Sequence, residues 1–109
     1  MSYRVETIVH FEKEAKRLKK KYRSLNREIS DLIDELEQNP FLGTYLKNGF
    51  HKIRLSIKSK GKGKSGGARV ITCIKVVAET VYLVSIYDKS EQSDIADHVL
   101  DQLLEEIPE

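Results

Sequence analysis

Tryptophan is absent from the 109 residues, cysteine and methionine occur once each and proline twice, and each shortage removes a class of protein. The lone cysteine, Cys73, can close no internal disulfide and supply no multi-cysteine metal site. Its place in the apolar run Val70-Ile71-Thr72-Cys73-Ile74 makes it a core residue. No stretch reaches the roughly 18 apolar residues needed to cross a bilayer, and no basic lead precedes an apolar run at the N-terminus. A cytoplasmic chain without a membrane partner is therefore expected. The most telling shortage is local: between Glu37 and Glu79 there is no acidic residue at all.

That acid-free stretch contains Lys47, Lys52, Arg54, Lys58, Lys60, Lys62, Lys64, Arg69 and Lys75, nine of the nineteen cations. The remaining ten cations and all seventeen acids leave −7 elsewhere, so the formal net charge of +2 hides a strong segregation. Clustered Lys and Arg attract phosphates and gain by releasing counterions, which makes nucleic acid the leading partner.

The length fits one domain spanning residues 1–109, and 39% apolar with 33% charged residues fits a globular fold rather than a disordered chain. Tyr3 to Val9 alternates as a short strand. Phe11, Ala15, Leu18 and Tyr22 then recur at helical spacing, and a second helix runs from an expected N-cap at Ser24 through Leu25, Ile29, Leu32, Ile33 and Leu36 to the Asn39-Pro40 stop. From Phe50 the period becomes two, with Ile53, Leu55 and Ile57 on one side and Lys52, Arg54, Ser56 and Lys58 on the other. Ser59 to Gly67 is a glycine- and lysine-rich loop. Two β-branched runs follow, Ala68 to Val77 and Thr80 to Tyr87, as a tight hairpin turning at Ala78-Glu79 and buried on both faces. Ile95, Val99, Leu103 and Ile107 mark an acidic C-terminal helix.

This order predicts an α+β domain with a mostly antiparallel, twisted sheet, an N-terminal helix hairpin on one face and a C-terminal helix. Its opposite face is expected to stay open and to present Lys52, Arg54, Lys58 and, across the glycine loop, Arg69. Gly61-Lys62-Gly63-Lys64-Ser65 imitates the end of a phosphate-binding loop, but Lys58 stands where its first glycine belongs and a strand follows instead of a helix. His10, His51 and His98 are scattered, so no metal or other cofactor is expected, and His51 alternates to the side away from Lys52. With no carboxylates in the basic stretch, a nuclease built on clustered acids has little support. RNA offers another route: its 2′-hydroxyl attacks the adjacent phosphate once a base takes the proton, an acid protonates the leaving 5′-oxygen, and cations hold the developing charge. A lysine crowded by like charges is a suitable base, because its ammonium form is disfavoured.

The segments Gly49-Phe50-His51-Lys52-Ile53-Arg54-Leu55, Lys60 to Ile71 and Ile86-Tyr87-Asp88-Lys89-Ser90-Glu91 resemble the RelE/ParE superfamily of toxins, closest to the HigB-type RelE branch. The resemblance implies the toxin of a type II toxin-antitoxin pair, an endoribonuclease that cuts mRNA in the ribosomal A site and is restrained by a protein antitoxin, expected to be of helix-turn-helix type. By motif, Lys52 and Arg54 match the family's basic pair and Arg69 its next arginine. The family's C-terminal arginine and tyrosine fall on Ser90 and Ala96, which cannot do the same work, so Tyr87 and Lys89 stand as substitutes. The implied roles are Lys52 as general base, Arg54 and Arg69 as phosphate clamp, Lys89 as acid or phosphate contact, and Tyr87 as a stacking or proton-transfer group. Lys58, Lys60, Lys62 and Lys64 are expected to hold ribosomal RNA backbone. A ParE-like toxin acting on DNA gyrase and a non-catalytic RNA-binding module are the alternatives.

Overall fold

The computed structural model describes residues 2–60 and 66–108, so Lys62 and Lys64 lie outside the described residues. Five strands form one sheet in the order β1-β5-β4-β3-β2, with β1 (Arg4–Thr7), β2 (Thr44–Tyr45), β3 (Phe50–Leu55), β4 (Ala68–Lys75) and β5 (Thr80–Asp88). The pairing β2-β3-β4-β5 is antiparallel throughout, while β1 runs parallel to β5 because the helix hairpin carries the chain across before the main sheet begins.

The helices form where the apolar spacing requires them. In α1 (Val9–Lys21), Phe11, Ala15 and Leu18 make one buried stripe, and in α2 (Leu25–Gln38), Leu25, Ile29, Leu32 and Leu36 make another. Both stripes face the sheet, α1 over β5 and α2 over β1. Asn39 ends α2 at φ −135, ψ 76, outside the helical region that the residue before a proline avoids. Ser24 precedes α2 but does not cap it: its hydroxyl meets Ser59 Oγ at 2.8 Å and donates to Glu28 at 3.1 Å. That link ties the helix hairpin to the short 3₁₀ turn Lys58–Lys60 after β3.

β4 and β5 are buried on both faces except at Lys75, as their β-branched density suggests. Their turn is longer than the sequence indicates, running from Val76 to Glu79, with Val77 fully exposed and Glu79 at φ 50. Past Thr7 no strand among the described residues lies beside this edge of β5. There Glu14 of α1 accepts hydrogen bonds from Ile86 N–H (3.1 Å) and Ser85 Oγ (2.7 Å), satisfying groups that burial would otherwise orphan. α3 (Asp97–Leu104) buries Leu100 and Leu103, and Ile107 is buried just beyond it, so the four-residue spacing read from the sequence found only part of the packed side.

The second face of the sheet is not open. Phe50, Ile71 and Cys73 lie on the same side as Lys52 by register, and all three are fully buried. Ion pairs of Lys47 with Asp97 and Asp101, and of Lys52 with Asp94, place the C-terminal segment against this side. Strand alternation shows which residues share a face; it does not show that a distant part of the chain will roof half of it.

Gly67 sets the spacing where β3 and β4 meet. A Cβ there would lie 2.1 Å from the Leu55 carbonyl oxygen, far inside contact distance, so only glycine lets the two backbones approach so closely.

Candidate active site

The register across the three central strands builds a row. Arg54 of β3 pairs with Arg69 of β4, and Arg69 pairs with Tyr87 of β5, so all three side chains leave the sheet on one side. Two pairs further along, and so on the same face, Lys52 is opposite Ile71. The structure therefore brings Lys52, Arg54, Arg69 and Tyr87 together, as the sequence suggested for the cations. Their surroundings differ: Arg54 is exposed, Lys52 is half-buried, and Arg69 and Tyr87 are 6% and 3% exposed. A guanidinium held that deep acts through a lower effective dielectric than a surface lysine does. Arg69 also donates to the Ala68 carbonyl at 3.1 Å, which helps fix its fork.

Tyr87 is the unusual member. Its hydroxyl is buried and makes no hydrogen bond of ordinary geometry among the described residues. Burial, reinforced by the nearby Asp94 carboxylate and opposed by Arg69, pushes its pKa up to about 12, so it carries its proton at any physiological pH. Its proton is held beside the Asp94 carboxylate, within the cationic row.

Asp94 is the residue sequence reasoning missed. The chain turns after β5, with Lys89 Nζ donating to the Ser93 carbonyl at 2.7 Å, and delivers the Asp94 carboxylate to Lys52 Nζ at 3.2 Å. The backbone N–H of Ile95 and the Lys52 ammonium together hold the Asp94 carboxyl below its ordinary range despite some desolvation. The acid-free stretch thus obtains its acid from 42 residues away, and Lys52 is not the isolated cation its sequence neighbours imply. The available signal was the acidity of the C-terminal segment. Because the Asp94 side of this pair is open to solvent it is worth at most about 1 kcal/mol, so an incoming phosphate can displace it. Asp94→Asn is expected to lower the ribosome concentration needed for half-maximal cleavage by roughly two- to fivefold, with little change in the saturated rate. A rise in that concentration would show Asp94 to be a working part of the site.

Two of the predicted RNA-binding lysines are described, and they differ. Lys58 is exposed, its backbone N–H donating to Glu28 at 2.6 Å. Lys60 is not available: its side chain is 8% exposed and its ammonium is paired with the fully buried Asp88 carboxylate, on the helix side of the sheet. A buried carboxylate takes the nearest cation, and after β3 that cation is Lys60. Lys89, bonded to Ser93, fastens the turn that carries Asp94. His51 is 7% exposed and sits edge-on to Phe41 and Tyr45 on the side away from Lys52, a structural position.

A single α+β scaffold presents fixed cations and a protonated tyrosine in one row, an arrangement suited to an anionic ligand. The chain belongs to the RelE toxin family: a model of the RelE toxin of the RelE/RelB toxin-antitoxin system matches residues 7–106. Its fold is similar to that of an alanine double mutant of the E. coli toxin RelE in the free state, with a TM-score of 0.65 and 16% identity, covering 99% of this chain and 100% of that one. Identity that low bears on the fold alone. As a RelE-family toxin the chain is a ribosome-dependent endoribonuclease that acts on mRNA and has a cognate antitoxin. Among the described residues, no helix is long and apolar enough to cross a membrane.

Proposed function

We propose that the row on β3, β4 and β5 cuts mRNA by turning its own 2′-hydroxyl against the neighbouring phosphate. Lys52 takes the 2′-proton, the 2′-oxygen bonds to phosphorus, and the bond from phosphorus to the 5′-oxygen breaks. Arg54 and Arg69 hold the phosphate oxygens as charge builds on them, and Tyr87 or Lys89 returns a proton to the leaving 5′-oxygen. What supports this reading is the cross-strand row Arg54-Arg69-Tyr87 with Lys52 two pairs away on the same face. Message entering the site displaces Asp94 from Lys52 and frees the lysine side chain to meet the 2′-hydroxyl.

Lys58, with Lys62 and Lys64 from the glycine segment, is assigned to ribosomal RNA backbone, because free mRNA gives so small a domain few positioning contacts. We place the chain in the HigB-type branch, in the cytoplasm, with an antitoxin of helix-turn-helix type. The deciding experiment maps mRNA fragments made on translating ribosomes. Ends carrying a 2′,3′-cyclic phosphate or its 3′-phosphate product are expected. Fragments with 5′-phosphate ends would overturn the route, and inhibition of translation without cleavage would favour the non-catalytic alternative.

A further inference from the structure

Outside the acid-free stretch ten cations remain, and eight of them fall between Lys13 and Arg27, where Glu14 is the only acid. In three dimensions they divide into two groups. Arg17 and Lys21 are paired with Glu91, and Arg27 with Asp31. Lys13, Lys16, Lys19, Lys20 and Arg23 are exposed and, among the described residues, have no ion pair. Interaction with the helix dipole accounts for cations in the last turn of α1, such as Lys19 and Lys20, but not for Lys13 and Lys16 further up. Among the described residues no acid of α2 forms an ion pair with these five, and Glu28, Asp31 and Glu35 line the groove shared with β3, where Lys52, Arg54 and Lys58 also lie.

Lys16, Lys19 and Lys20 rim a groove of about 460 Å³ between the two helices, with Ala15, Ile29 and Ile33 in its walls and Glu12 as the one acid among its lining residues. This basic surface is continuous with the active site around one end of the sheet. Tyr22, next after α1, donates to Asp88, which directly follows Tyr87 of the catalytic row. Ser24 contacts Ser59 at 2.8 Å, which brings Arg23 and the exposed Lys58 of the 3₁₀ turn to the same corner, where Glu28 accepts from Ser24 Oγ and Lys58 N–H. Exposed cations therefore extend from Arg54 and Lys58 through Arg23 onto the outer face of α1.

We propose that this face of α1, through Lys16, Lys19 and Lys20 with Arg23 at its end, is a second RNA surface that grips the phosphate backbone of structured ribosomal RNA while the sheet face holds the message. The inference rests on the endoribonuclease reading for its substrate, but it concerns anchoring rather than chemistry. The α1 cations reach RNA behind the sheet, so they contribute to affinity and to its dependence on salt, and not to the chemical step.

The test compares Lys16→Gln/Lys20→Gln with a charge-matched control at the opposite end of the sheet, Arg4→Gln/Lys75→Gln. Binding to vacant ribosomes and to a short RNA duplex is measured over a series of salt concentrations, with thermal unfolding to confirm that both variants fold. The α1 variant is expected to bind both probes at least about tenfold more weakly at low salt, and its slope of log affinity against log salt should be shallower by between one and two. At saturating ribosomes its cleavage rate should equal that of the wild type. Equal losses in the two variants would reduce the effect to net charge and overturn the proposal. So would unchanged RNA binding accompanied by lost antitoxin binding, which would make the face a protein-docking surface. If the α1 variant shows the binding defect but the wild type cuts no mRNA, the anchoring surface stands and the nuclease reading fails.

Discussion

Replacing Arg69 by alanine is expected to slow mRNA cleavage on ribosomes by at least about a hundredfold, the scale of one lost transition-state contact, while changing ribosome affinity little. Three features set the expectation. Arg69 occupies the middle of the row, between Arg54 and Tyr87, so any phosphate held by the row must meet it. It is nearly buried, where solvent screens its charge least. Its planar fork offers two parallel donors to phosphate oxygens, so Arg69→Lys, which keeps the charge but not the fork, is expected to recover only part of the lost rate. Lys52→Ala should cause a loss of similar size for a different reason, removal of the base. Because truncating a buried arginine also disturbs packing, thermal unfolding and saturating-ribosome rates are measured together. Wild-type rates in both alanine variants would place the chemistry elsewhere.

The row itself was legible in the sequence because β3 alternates cleanly and the glycine segment joins it to β4 as neighbouring antiparallel strands, which sets Arg69 beside Arg54. The helix hairpin was legible because Phe11, Ala15 and Leu18, then Leu25, Ile29, Leu32 and Leu36, repeat at helical spacing and Asn39-Pro40 ends the pattern. What escaped were the partners drawn from distant sequence. Asp94 reaches Lys52 across 42 residues and Asp88 reaches Lys60 across 28, and no local pattern encodes either pairing. Val76 and Val77 misled in a different way: their hydropathy extended β4 into what is an exposed turn. The cations of α1 were hidden by averaging, since summing everything outside the central stretch to −7 buried a basic helix beneath acids on α2 and at the C-terminus.

Asp88→Ala is expected to destabilise the fold by about 3–5 kcal/mol, the cost of leaving a buried charge without its partner. Asp88 is fully buried and accepts hydrogen bonds from Tyr22 Oη (2.5 Å), from Ser90 through both its hydroxyl (2.7 Å) and its N–H (2.9 Å), and from the Lys60 ammonium. Burial alone would raise its carboxyl pKa, but the bonds from Lys60, Tyr22 and Ser90 outweigh that and hold it well below the usual carboxylate range. A carboxyl depressed on folding stabilises the native state fully above its unfolded value, about 4, and the contribution is lost as pH falls through the folded value. Urea unfolding should therefore show wild-type stability falling steadily with acid below about pH 4, and a shallower fall in Asp88→Asn. Asp88→Asn/Lys60→Met, which removes both charges, should be more stable than Asp88→Ala, since an unpaired ammonium costs more than a missing pair. The position gives this pair a consequence for the active site: Asp88 ends β5 opposite Ala68, one residue from both Tyr87 and Arg69, and Lys60 anchors the turn that leads into the glycine segment. Loss of the pair should loosen that corner and lower the cleavage rate at temperatures where the protein is still folded. Full stability in Asp88→Ala would mean that Lys60 finds another partner or reaches water, and the corner would then owe its rigidity to packing alone.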